Sequence, residues 1–476
     1  MRHTRWHGMA FVGALALIAV GCGRAAPPAA DEPPPAPANR FRDHNLVLVS
    51  FDALQAAHVG HLGYPRDTTP TIDALAREGY TFTHYYSAAS WTVPSTMTWF
   101  TGVYPSEHRM TNKFAVYTAR EKKAASLKEL APGLTTLAEH FRAAGYATGA
   151  FTGNAGVSPG FGYEAGFDTY FAEPNRFGAL DRSVPKALEW LAANRGRKFF
   201  LFLHGYDAHG QCEPAGGLDY RYVEPGYDGR FAGSVLEQEA LREEGLASGR
   251  VTLRDADVRF WRAVYDEKIA RADARFRHFL DEFRRLGLAD NTVFALTSDH
   301  GTELHEHRRF DHGFTLYDEL LHVPLVIRPP GAPVGVRVAE RAGSIDLMPT
   351  LLDLLDVTVP PTARAPLRGT SLVPTLRGEP AGRDIYSETD YREYTFKRSV
   401  LTPDGWKLIY TLENRTRELY YLPTDPGEER NRAATDAARA DALQEKLFAH
   451  FRAIGHDLTA RRWEVGLNPV YNSQAK

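Results

Sequence analysis

The sequence is poor in cysteine and has no long run of one charge. Its 476 residues include only two cysteines, Cys22 and Cys212. One thiol in the body of the chain cannot form an internal disulfide, so the fold has to rest on its hydrophobic core. Lys and Arg number 56 against 59 Asp and Glu, and no basic run stands out. We therefore expect no nucleic-acid binding, and no protein partner is evident.

Long hydrophobic runs are also absent, except near the N-terminus. Residues 8–21 are almost wholly small and apolar after a basic start. A run of about 14 such residues is too short to span a bilayer and is typical of a signal-peptide core. It ends in residues 19–22, which resemble a bacterial lipobox with Cys22 as the lipidated residue. The alternative is ordinary cleavage near Gly21 or Ala25, with Cys22 discarded.

The N-terminal composition predicts where the protein resides. Residues 1–22 are interpreted as the signal peptide, and residues 23–43, rich in Pro and Ala, as an extended tether. Together they predict an exported protein of the bacterial cell envelope. We expect it to be attached to the membrane by an N-terminal lipid and to face the periplasm or the exterior.

Short apolar segments that alternate with helical patterns predict a wound α/β sheet, mostly parallel and flanked by helices. The expected parallel strands are 46–51, 147–151, 199–203, 292–297 and 323–327, and the expected helices are 70–79, 134–144, 185–193 and 270–286. Residues 210–252 show little periodicity and are interpreted as a surface insertion. From residue 385 the pattern changes to short antiparallel strands and a final helix at about 437–454. We therefore predict a catalytic domain at 44–384 and a smaller α+β domain at 385–476.

Polar side chains follow several predicted strands where each strand ends. Asp52 follows the first strand, and Asp299 and His300 follow the fourth. Ligands of open α/β sheets bind beyond the carboxyl ends of the strands. Two carboxylates and an imidazole suit Mn, Zn or Mg better than an all-oxygen calcium site. Taken singly, each could instead be a strand-end residue that caps a helix.

Thr92 has the sequence context of a residue at a helix N-terminus. Pro94 would lie in the first turn of this helix, and Gly102 would end it. A helix N-terminus is suited to a phosphate or sulfate group, and a nearby metal lowers the pKa of a hydroxyl. Thr92 is therefore a candidate metal-activated nucleophile, and the alternative is a plain capping threonine.

Two of three further histidines complete the candidate site. Transfer of a phosphoryl or sulfuryl group needs an acid for the leaving group and donors for the equatorial oxygens, and histidine can serve both. His209 and His312 are interpreted in these roles. His204, at a predicted strand end, is interpreted as an ordinary hydrogen-bonded loop histidine.

Ordered motifs from Asn45 to Ile454 resemble the sulfatase family of the alkaline phosphatase superfamily. They lie at residues 48–52, 69–79, 92–95, 101–105, 297–301, 316–319, 323–325, 407–410, 418–420 and 425–428. The resemblance implies an alkaline phosphatase-like α/β core with a C-terminal α+β domain. It also implies a metal-dependent hydrolase that acts on small sulfate or phosphate esters.

The departures from the family pattern refine this expectation. Sulfatases of the family carry Cys or Ser at the position of Thr92 and convert it to formylglycine, which threonine cannot form. Relatives with threonine attack through its oxygen, and Ala53 with His300 resembles the transition-metal phosphonate and phosphate-ester branch. The resemblance thus implies one divalent ion (Mn, Zn, Ca or Mg) held by Asp52, Thr92, Asp299 and His300. A covalent Thr92 ester would form, while His209 protonates the leaving group and His312 stabilises the equatorial oxygens.

Three alternatives stay open at the level of sequence, and one of them is a genuine sulfatase that acts through Thr92 without the aldehyde. Asp207, His209 and His312 could hold a second ion, which would make the protein a two-metal phosphodiesterase or phosphotransferase. Gln55 replaces an arginine common in near relatives, and Thr96 stands where Arg or His would steady the nucleophile. Those two replacements would suit a catalytically inactive binding protein that keeps the fold.

Overall fold

The computed structural model describes residues 1, 41–117, 121–174, 177–359, 366–460 and 463. The predicted signal peptide and tether, residues 1–43, therefore lie outside the described residues except for Met1 and residues 41–43. None of the helices within the described ranges is both long enough and apolar enough to cross a membrane.

The described chain forms strands and helices in alternation. The strands are β1 Asn45–Phe51, β2 Tyr80–Tyr86, β3 Phe114–Tyr117, β4 Lys122–Ala124, β5 Ala147–Thr152, β6 Thr169–Ala172, β7 Phe199–Gly205, β8 Thr292–Thr297, β9 Glu303–Leu304, β10 Phe310–Asp311, β11 His322–Arg328, β12 Val336–Gly343, β13 Ile385–Thr389, β14 Lys397–Leu401, β15 Trp406–Thr411 and β16 Thr416–Tyr421. The helices are α1 Pro70–Arg77, α2 Thr92–Thr101, α3 Pro105–His108, α4 Leu127–Leu130, α5 Leu137–Ala143, α6 Leu180–Asn194, α7 Val235–Ser248, α8 Asp255–Arg285, α9 Asp318–Leu321, α10 Leu347–Leu354, α11 Val373–Leu376 and α12 Ala437–Ala453.

The central sheet has eight strands in the order β12-β2-β11-β8-β1-β7-β5-β6. Strands β8, β1, β7, β5 and β6 run parallel to one another. Strand β11 is antiparallel to both of its neighbours, β8 and β2. The predicted strand at 323–327 therefore exists, but its predicted parallel direction is wrong. The chain between β8 and β11 forms a small hairpin and one helical turn, not the long covering helix that a parallel crossover uses.

Both faces of the central sheet are buried, which is why its strands are continuously apolar. Leu46 and Leu48 of β1 belong to one hydrophobic cluster, with side chains of α2, α5 and α10. Val47, Val49 and Phe51 alternate with them and belong to a second cluster, with side chains of α1, α6 and α8. The predicted wound sheet with helices on both faces is confirmed.

Two helices differ from the prediction. Helix α8 begins at Asp255, well before the predicted start at residue 270. Its first half buries charged side chains among apolar ones, so its core-facing side does not read as an apolar stripe. The insertion at 210–252 contains α7, whose buried residues are Gln238, Leu241 and Gly245. Because the buried face of α7 carries only one large apolar residue, the sequence shows no apolar repeat at helical spacing, and this helix was not predicted.

The C-terminal region forms a separate antiparallel sheet, in the order β13-β14-β15-β16. Helix α12 packs against it, and Leu443 and Leu447 of the helix share a cluster with Val400, Leu408 and Leu419 of the strands. The smaller α+β region is confirmed, and its sheet begins with β13 at Ile385–Thr389. The domain boundaries at 384 and 385 stay a prediction.

A buried set of ion pairs connects this second sheet to the central region. Lys407 Nζ on β15 lies 2.7 Å from Asp318 Oδ1 and 2.9 Å from Glu428 Oε1. The adjacent Glu319 Oε1 lies 2.5 Å from His307 Nδ1. We call these five residues the paired cluster, since each carboxylate in it has a cationic or cation-forming partner.

Candidate metal centre and active site

Two neighbouring strands bring Asp52, Asp299 and His300 together. Strands β1 and β8 are parallel, and their register pairs Ser50 with Thr297. Asp52 directly follows β1, and Asp299 and His300 follow β8 after one intervening residue. One ligand atom from each of these three side chains lies within 4.8 Å of the other two. We call these three residues the metal group, and their convergence is as predicted from the strand ends.

The contacts of the metal group orient its free atoms toward a common point. Asp299 Oδ1 accepts hydrogen bonds from the backbone N–H groups of Ala53, at 3.2 Å, and His300, at 3.0 Å. Asp299 Oδ2 and Asp52 Oδ1 are buried without a hydrogen-bond partner among the described residues. His300 Nδ1 lies 2.7 Å from the carbonyl oxygen of Gly301 and can donate to it, which leaves the Nε2 lone pair free.

A divalent ion fits this arrangement of buried donors. Burial raises the pKa of the Asp52 carboxyl well above its ordinary value, and the nearby Asp299 charge raises it further. Unpartnered buried carboxylate oxygens are costly unless something compensates them. Two carboxylate oxygens and an imidazole nitrogen form a donor set that transition-metal ions prefer. The metal group therefore has the composition and the unsatisfied oxygens that an ion would need.

Thr92 completes the candidate ligand set. Its Oγ1 lies 3.3 Å from Asp52 Oδ2 and 3.3 Å from His300 Nε2. The prediction that Thr92 caps α2 is wrong by one residue, because Trp91 has the extended N-cap backbone and Thr92 is the first helical residue. The Thr92 hydroxyl thus faces the metal group and makes no capping bond.

Gly156 supports the Thr92 side chain from the opposite side. A Cβ atom at Gly156 would lie 2.8 Å from both Cβ and Cγ2 of Thr92. The backbone N–H of Gly156 donates to the Tyr206 hydroxyl at 2.8 Å, which keeps this segment in place. The threonine methyl group is therefore packed against glycine backbone.

His209 and His312 lie beside the metal group, as predicted. Their Nε2 atoms are 3.0 Å apart, and His209 Nε2 is 3.8 Å from Asp52 Oδ1. The backbone N–H of Gln211 donates to His209 Nδ1 at 3.1 Å, which assigns the ring proton to Nε2. Burial lowers the pKa of both histidines well below 6.5, and the neighbouring His300 lowers it further.

The slight exposure of the site shows the side from which a substrate can approach. Asp52, Asp299 and His300 are 0% exposed, whereas Thr92 keeps 5% exposure and His312 keeps 6%. Thr92 and His312 are therefore less completely enclosed than the three residues of the metal group. A substrate would meet these two side chains first.

His204 belongs to the site, contrary to the sequence interpretation. Strand β7 is the other neighbour of β1, and its register pairs His204 with Ser50. His204 Nε2 lies 3.6 Å from Asp52 Oδ2, and neither ring nitrogen has a hydrogen-bond partner in the described ranges. Burial lowers the pKa of His204 to about 4. Its strand-end position, the same signal that identified Asp52, could have found it.

Asp207 does not join a second metal site. Its carboxylate forms an ion pair with Arg275 and accepts the backbone N–H of Leu180 at 2.8 Å. It therefore holds the start of α6 against the loop after β7. No second group of three His, Cys, Asp or Glu side chains has metal-binding spacing in the part of the chain that the structure describes.

The two replaced positions have different surroundings. The Gln55 side-chain amide donates to the backbone carbonyl of Thr302, next to the loop that carries His300. Thr96 lies one turn after Thr92 on α2, and its hydroxyl is buried without a hydrogen-bond partner among the described residues. Neither side chain is among the polar contacts that the structure gives Thr92.

Three cations near the histidine pair were missed at the level of sequence. The charges of Lys113, Lys268 and Arg242 all act to lower the pKa of His209. Lys268 Nζ also donates to the carbonyl oxygens of His209 and Gly210, at 3.1 Å each, and burial lowers its pKa to about 8. Lys268 lies in the middle of α8 and Arg242 in the unpredicted α7, so only tertiary packing reveals them.

Comparison with known proteins identifies the family of the chain. The family model described as sulfatase matches residues 44–357, and the model described as N-sulphoglucosamine sulphohydrolase, C-terminal, matches residues 305–455. The Delta 4,5-hexuronate-2-O-sulfatase of Bacteroides thetaiotaomicron is 24% identical over 445 residues, which is 88% of this chain and 89% of that protein.

Two solved structures are similar over most of their length. A 2-O GAG sulfatase superposes with a TM-score of 0.70 and 22% identity, covering 90% of this chain and 96% of its own. The phosphonate monoester hydrolase of Agrobacterium radiobacter superposes with a TM-score of 0.64 and 22% identity, covering 88% and 97%. The predicted fold class is thereby confirmed.

Proposed function

Since the chain belongs to the sulfatase family and is an ester hydrolase of that family, we propose that it cleaves sulfate or phosphate esters through the oxygen of Thr92. The observation that carries the proposal is the position of Thr92 Oγ1, 3.3 Å from both Asp52 Oδ2 and His300 Nε2. The hydroxyl lies beside a donor set with two unpartnered carboxylate oxygens.

The proposed ion would be held by Asp52, Asp299, His300 and Thr92. When bound, a divalent ion supplies Lewis-acid polarisation of the ester oxygen and a lower pKa for the Thr92 hydroxyl. Mn, Zn, Ca and Mg are the candidates. The nitrogen ligand favours a transition metal over an all-oxygen ion.

The side chains of Thr92, His209 and His312 carry out the remaining steps. Thr92 Oγ1 attacks sulfur or phosphorus in line as the bond from that atom to the leaving oxygen breaks. His209 Nε2–H gives its proton to the leaving oxygen, and the proton that Thr92 loses restores the same nitrogen, so His209 ends the step neutral. Asp52 lies between the two residues, 3.3 Å from Thr92 Oγ1 and 3.8 Å from His209 Nε2. The products of this half-reaction are the free alcohol and a covalent Thr92 ester.

The second half-reaction releases the acid. Water attacks the sulfur or phosphorus, the bond to Thr92 breaks, and one water proton returns to the Thr92 oxygen. His312 donates a hydrogen bond to an equatorial oxygen in both half-reactions. The charges of Lys113, Lys268 and Arg242 favour an anionic ester at this place.

The similar proteins suggest the kind of ester. Two of them are named for sulfate groups on uronate or GAG substrates, and one is named for phosphonate monoesters. We propose a small anionic monoester, with sulfate as the first choice. Threonine lacks the chemistry to form the formylglycine aldehyde, so the oxygen of the unmodified side chain is the proposed nucleophile.

The test combines a trapped intermediate with matched variants. Metal-loaded protein is mixed with aryl sulfate, phosphate monoester, phosphodiester and phosphonate substrates under Mn, Zn or Ca, quenched, and digested for mass spectrometry. We expect a mass increase on the Thr92 peptide. Turnover should fall at least about 10³-fold in Thr92→Ala and persist in Thr92→Ser. Thr98→Ala is the matched control, since the Thr98 hydroxyl bonds the carbonyl oxygen of Pro94 one turn earlier. Turnover that survives Thr92→Ala would overturn the mechanism.

The same assay separates the alternatives. An inactive binding protein would bind metal and turn over none of the four ester classes. A two-metal enzyme would contain two ions per chain. We expect one ion, because Asp207 is held by Arg275 and Leu180.

We also propose that the protein is exported and lipid-anchored. The proposal rests on the apolar run at residues 8–21 and on Cys22 at its end. Expressed from its full sequence, the protein should enter the detergent phase of a Triton X-114 separation, and Cys22→Ser should move it to the aqueous phase. Equal partitioning of both forms would disprove the anchor.

A further inference from the structure

A large cavity lies apart from the metal group. Its volume is about 1110 Å³, and its walls come from the loop after β1, the start of α8, strand β12 and the turn after β16. None of the catalytic or metal-binding candidates lines it. Its walls carry five arginines, and we call it the arginine cavity: Arg66, Arg259, Arg262, Arg337 and Arg341.

Three of these arginines are already paired with carboxylates. The pairs are Arg66 with Asp266 at 2.7 Å, Arg259 with Glu224 at 2.9 Å and Arg262 with Glu306 at 3.3 Å. Their charges are therefore largely matched by the protein itself. They contribute less to a ligand than an unpaired guanidinium would.

The carboxylates that line the cavity are also matched. Glu306 pairs with Arg262, Asp318 with Lys407 and Glu319 with His307. The two carboxylates of the paired cluster thus have partners outside the cavity lining. Little negative charge is left to repel an anion.

Two positive charges remain, on Arg337 and Arg341 of β12. Each guanidinium donates from Nη1 to a backbone carbonyl, Arg337 to His61 at 2.6 Å and Arg341 to Pro403 at 2.7 Å. No carboxylate of the described residues lies within ion-pair distance of either. Arg341 Nε is also buried without a hydrogen-bond partner among them. Guanidinium groups with free donors are suited to sulfate, phosphate and carboxylate oxygens.

The dimensions of the cavity select the size of the ligand. A single inorganic anion would fill a small part of 1110 Å³, since cavities for organic ligands measure roughly 300–1,000 Å³. Arg337 and Arg341 are four residues apart on β12, and the register of β12 against β2 shifts between Val338 and Arg341. A ligand with two charged groups can engage both guanidinium groups at once.

We propose that the arginine cavity binds an organic anion of saccharide size that carries two or more sulfate or phosphate groups. Arg337 and Arg341 hold its charged groups, and the cavity wall between them contacts its body. The binding does not depend on the reaction at the metal group.

The test measures binding and turnover separately on the metal-loaded, full-length protein. The probe is a fluorescently labelled, fully sulfated heparin tetrasaccharide, and its anisotropy is followed as protein is added. Arg337→Gln with Arg341→Gln should raise the Kd at least about tenfold. The matched control is Arg195→Gln with Arg197→Gln, which removes the same charge from exposed residues after α6 and should leave the Kd within about twofold.

Two further measurements show where the probe binds and whether single inorganic anions can replace it. Thr92→Ala should leave the Kd unchanged, and the Arg337/Arg341 variant should keep the wild-type kcat on a small aryl ester. Inorganic sulfate or phosphate at equal charge concentration should displace the probe poorly. Turnover could fail on every ester while this binding stands, so the two proposals are separable.

Three outcomes would overturn the inference. The Kd could be the same in the Arg337/Arg341 variant and the wild type, or it could rise equally in the surface control. The probe could be lost in Thr92→Ala, which would place it at the metal group. Inorganic anions could displace it fully, which would make the cavity a site for single ions.

Discussion

The protein contains two buried groups of charged side chains, and they are built on opposite principles. In the paired cluster, Lys407 lies within 2.9 Å of two carboxylates and His307 lies 2.5 Å from a third. In the metal group, no Lys or Arg of the described residues lies within ion-pair distance of Asp52 or Asp299, and the nearest ionisable partners are histidines.

The difference separates groups that stabilise the fold from groups that bind a ligand. A buried carboxylate with a cationic partner is compensated in part inside the protein: burial raises the pKa of Glu428 to about 8, and the charge of Lys407 opposes that rise. A buried carboxylate without one needs a cation from outside, and its burial is otherwise unfavourable. Removing one charge should therefore have opposite effects on the stability of the metal-free protein. Loss of a carboxylate from the metal group should not destabilise it, whereas loss of the cation from the paired cluster should. Four predictions test this contrast.

The largest effect is expected on catalysis, at the metal group. Asp299→Asn removes one of two ligand carboxylates, and kcat/KM should fall roughly 10³-fold or more, about 4 kcal/mol. The metal-free variant should be as stable as the metal-free wild type or more so, because the change removes repulsion between Asp52 and Asp299. Steady-state kinetics and urea unfolding measure the two effects. A metal-free variant that is much less stable than wild type would contradict the contrast.

The next effect is on stability, at the paired cluster. Lys407→Met leaves Asp318 and Glu428 without their cation and should lower the free energy of unfolding by about 3–5 kcal/mol. Urea unfolding measures it, and kcat/KM of the folded variant should stay within a few-fold of wild type. Lys446→Met is the control, since Lys446 pairs with Asp384 at 2.8 Å on the surface, where such pairs contribute about 0–1 kcal/mol. Equal losses in both variants would contradict the prediction.

Metal binding should stabilise the protein through the metal group and not through the paired cluster. A divalent ion at 100 times its Kd should raise the free energy of unfolding of chelated protein by about 2.7 kcal/mol. Lys407→Met should show the same increase, whereas Asp299→Asn should show little or none. Calorimetry with and without chelator measures the change. An increase of full size in Asp299→Asn would mean that the ion binds elsewhere.

The smallest effect is a pH dependence of the paired cluster. Burial alone would lower the pKa of His307, but its hydrogen bond to Glu319 and the charge of that carboxylate raise it to about 9. A folded-state pKa above the ordinary 6.5 means that this stabilisation is fully present below pH 6.5 and is lost as the pH rises through 9.

We expect a contribution of roughly 1 kcal/mol, reduced by partial exposure of the ring. Unfolding free energies between pH 6 and pH 10 should show it in the wild type. The His307→Gln variant should show a flatter profile over this range. A profile that is equally steep in both proteins would assign the pH dependence to other groups.

Residues fixed by local rules were predictable from sequence, and residues fixed by packing were not. Asp52, Asp299 and His300 follow apolar strands directly, and parallel strands place such positions at one edge of the sheet. The position of Thr92 at the start of α2 was also predicted, although Trp91 and not Thr92 is the N-cap residue. His204 carried the same strand-end signal but was interpreted as an ordinary hydrogen-bonded loop histidine.

Lys268 and Arg242 illustrate what the sequence could not show. Lys268 lies in the polar-interrupted half of α8, where a lysine usually faces solvent, yet its amine bonds two backbone carbonyls of the histidine loop. Arg242 lies on α7, which has almost no apolar stripe. The direction of β11 depends on the path of the connecting chain, which hydrophobic periodicity does not specify.

The glycine backbone at residue 156 has a consequence for the choice of threonine over serine. A β-branched side chain has few staggered rotamers, and the methyl of Thr92 fits only where residue 156 has no Cβ. Gly156 thus favours the χ1 rotamer of Thr92 in which the methyl group packs against the glycine backbone. The hydroxyl is therefore oriented before a substrate binds. A serine would rotate more freely and lose part of its time in unproductive orientations.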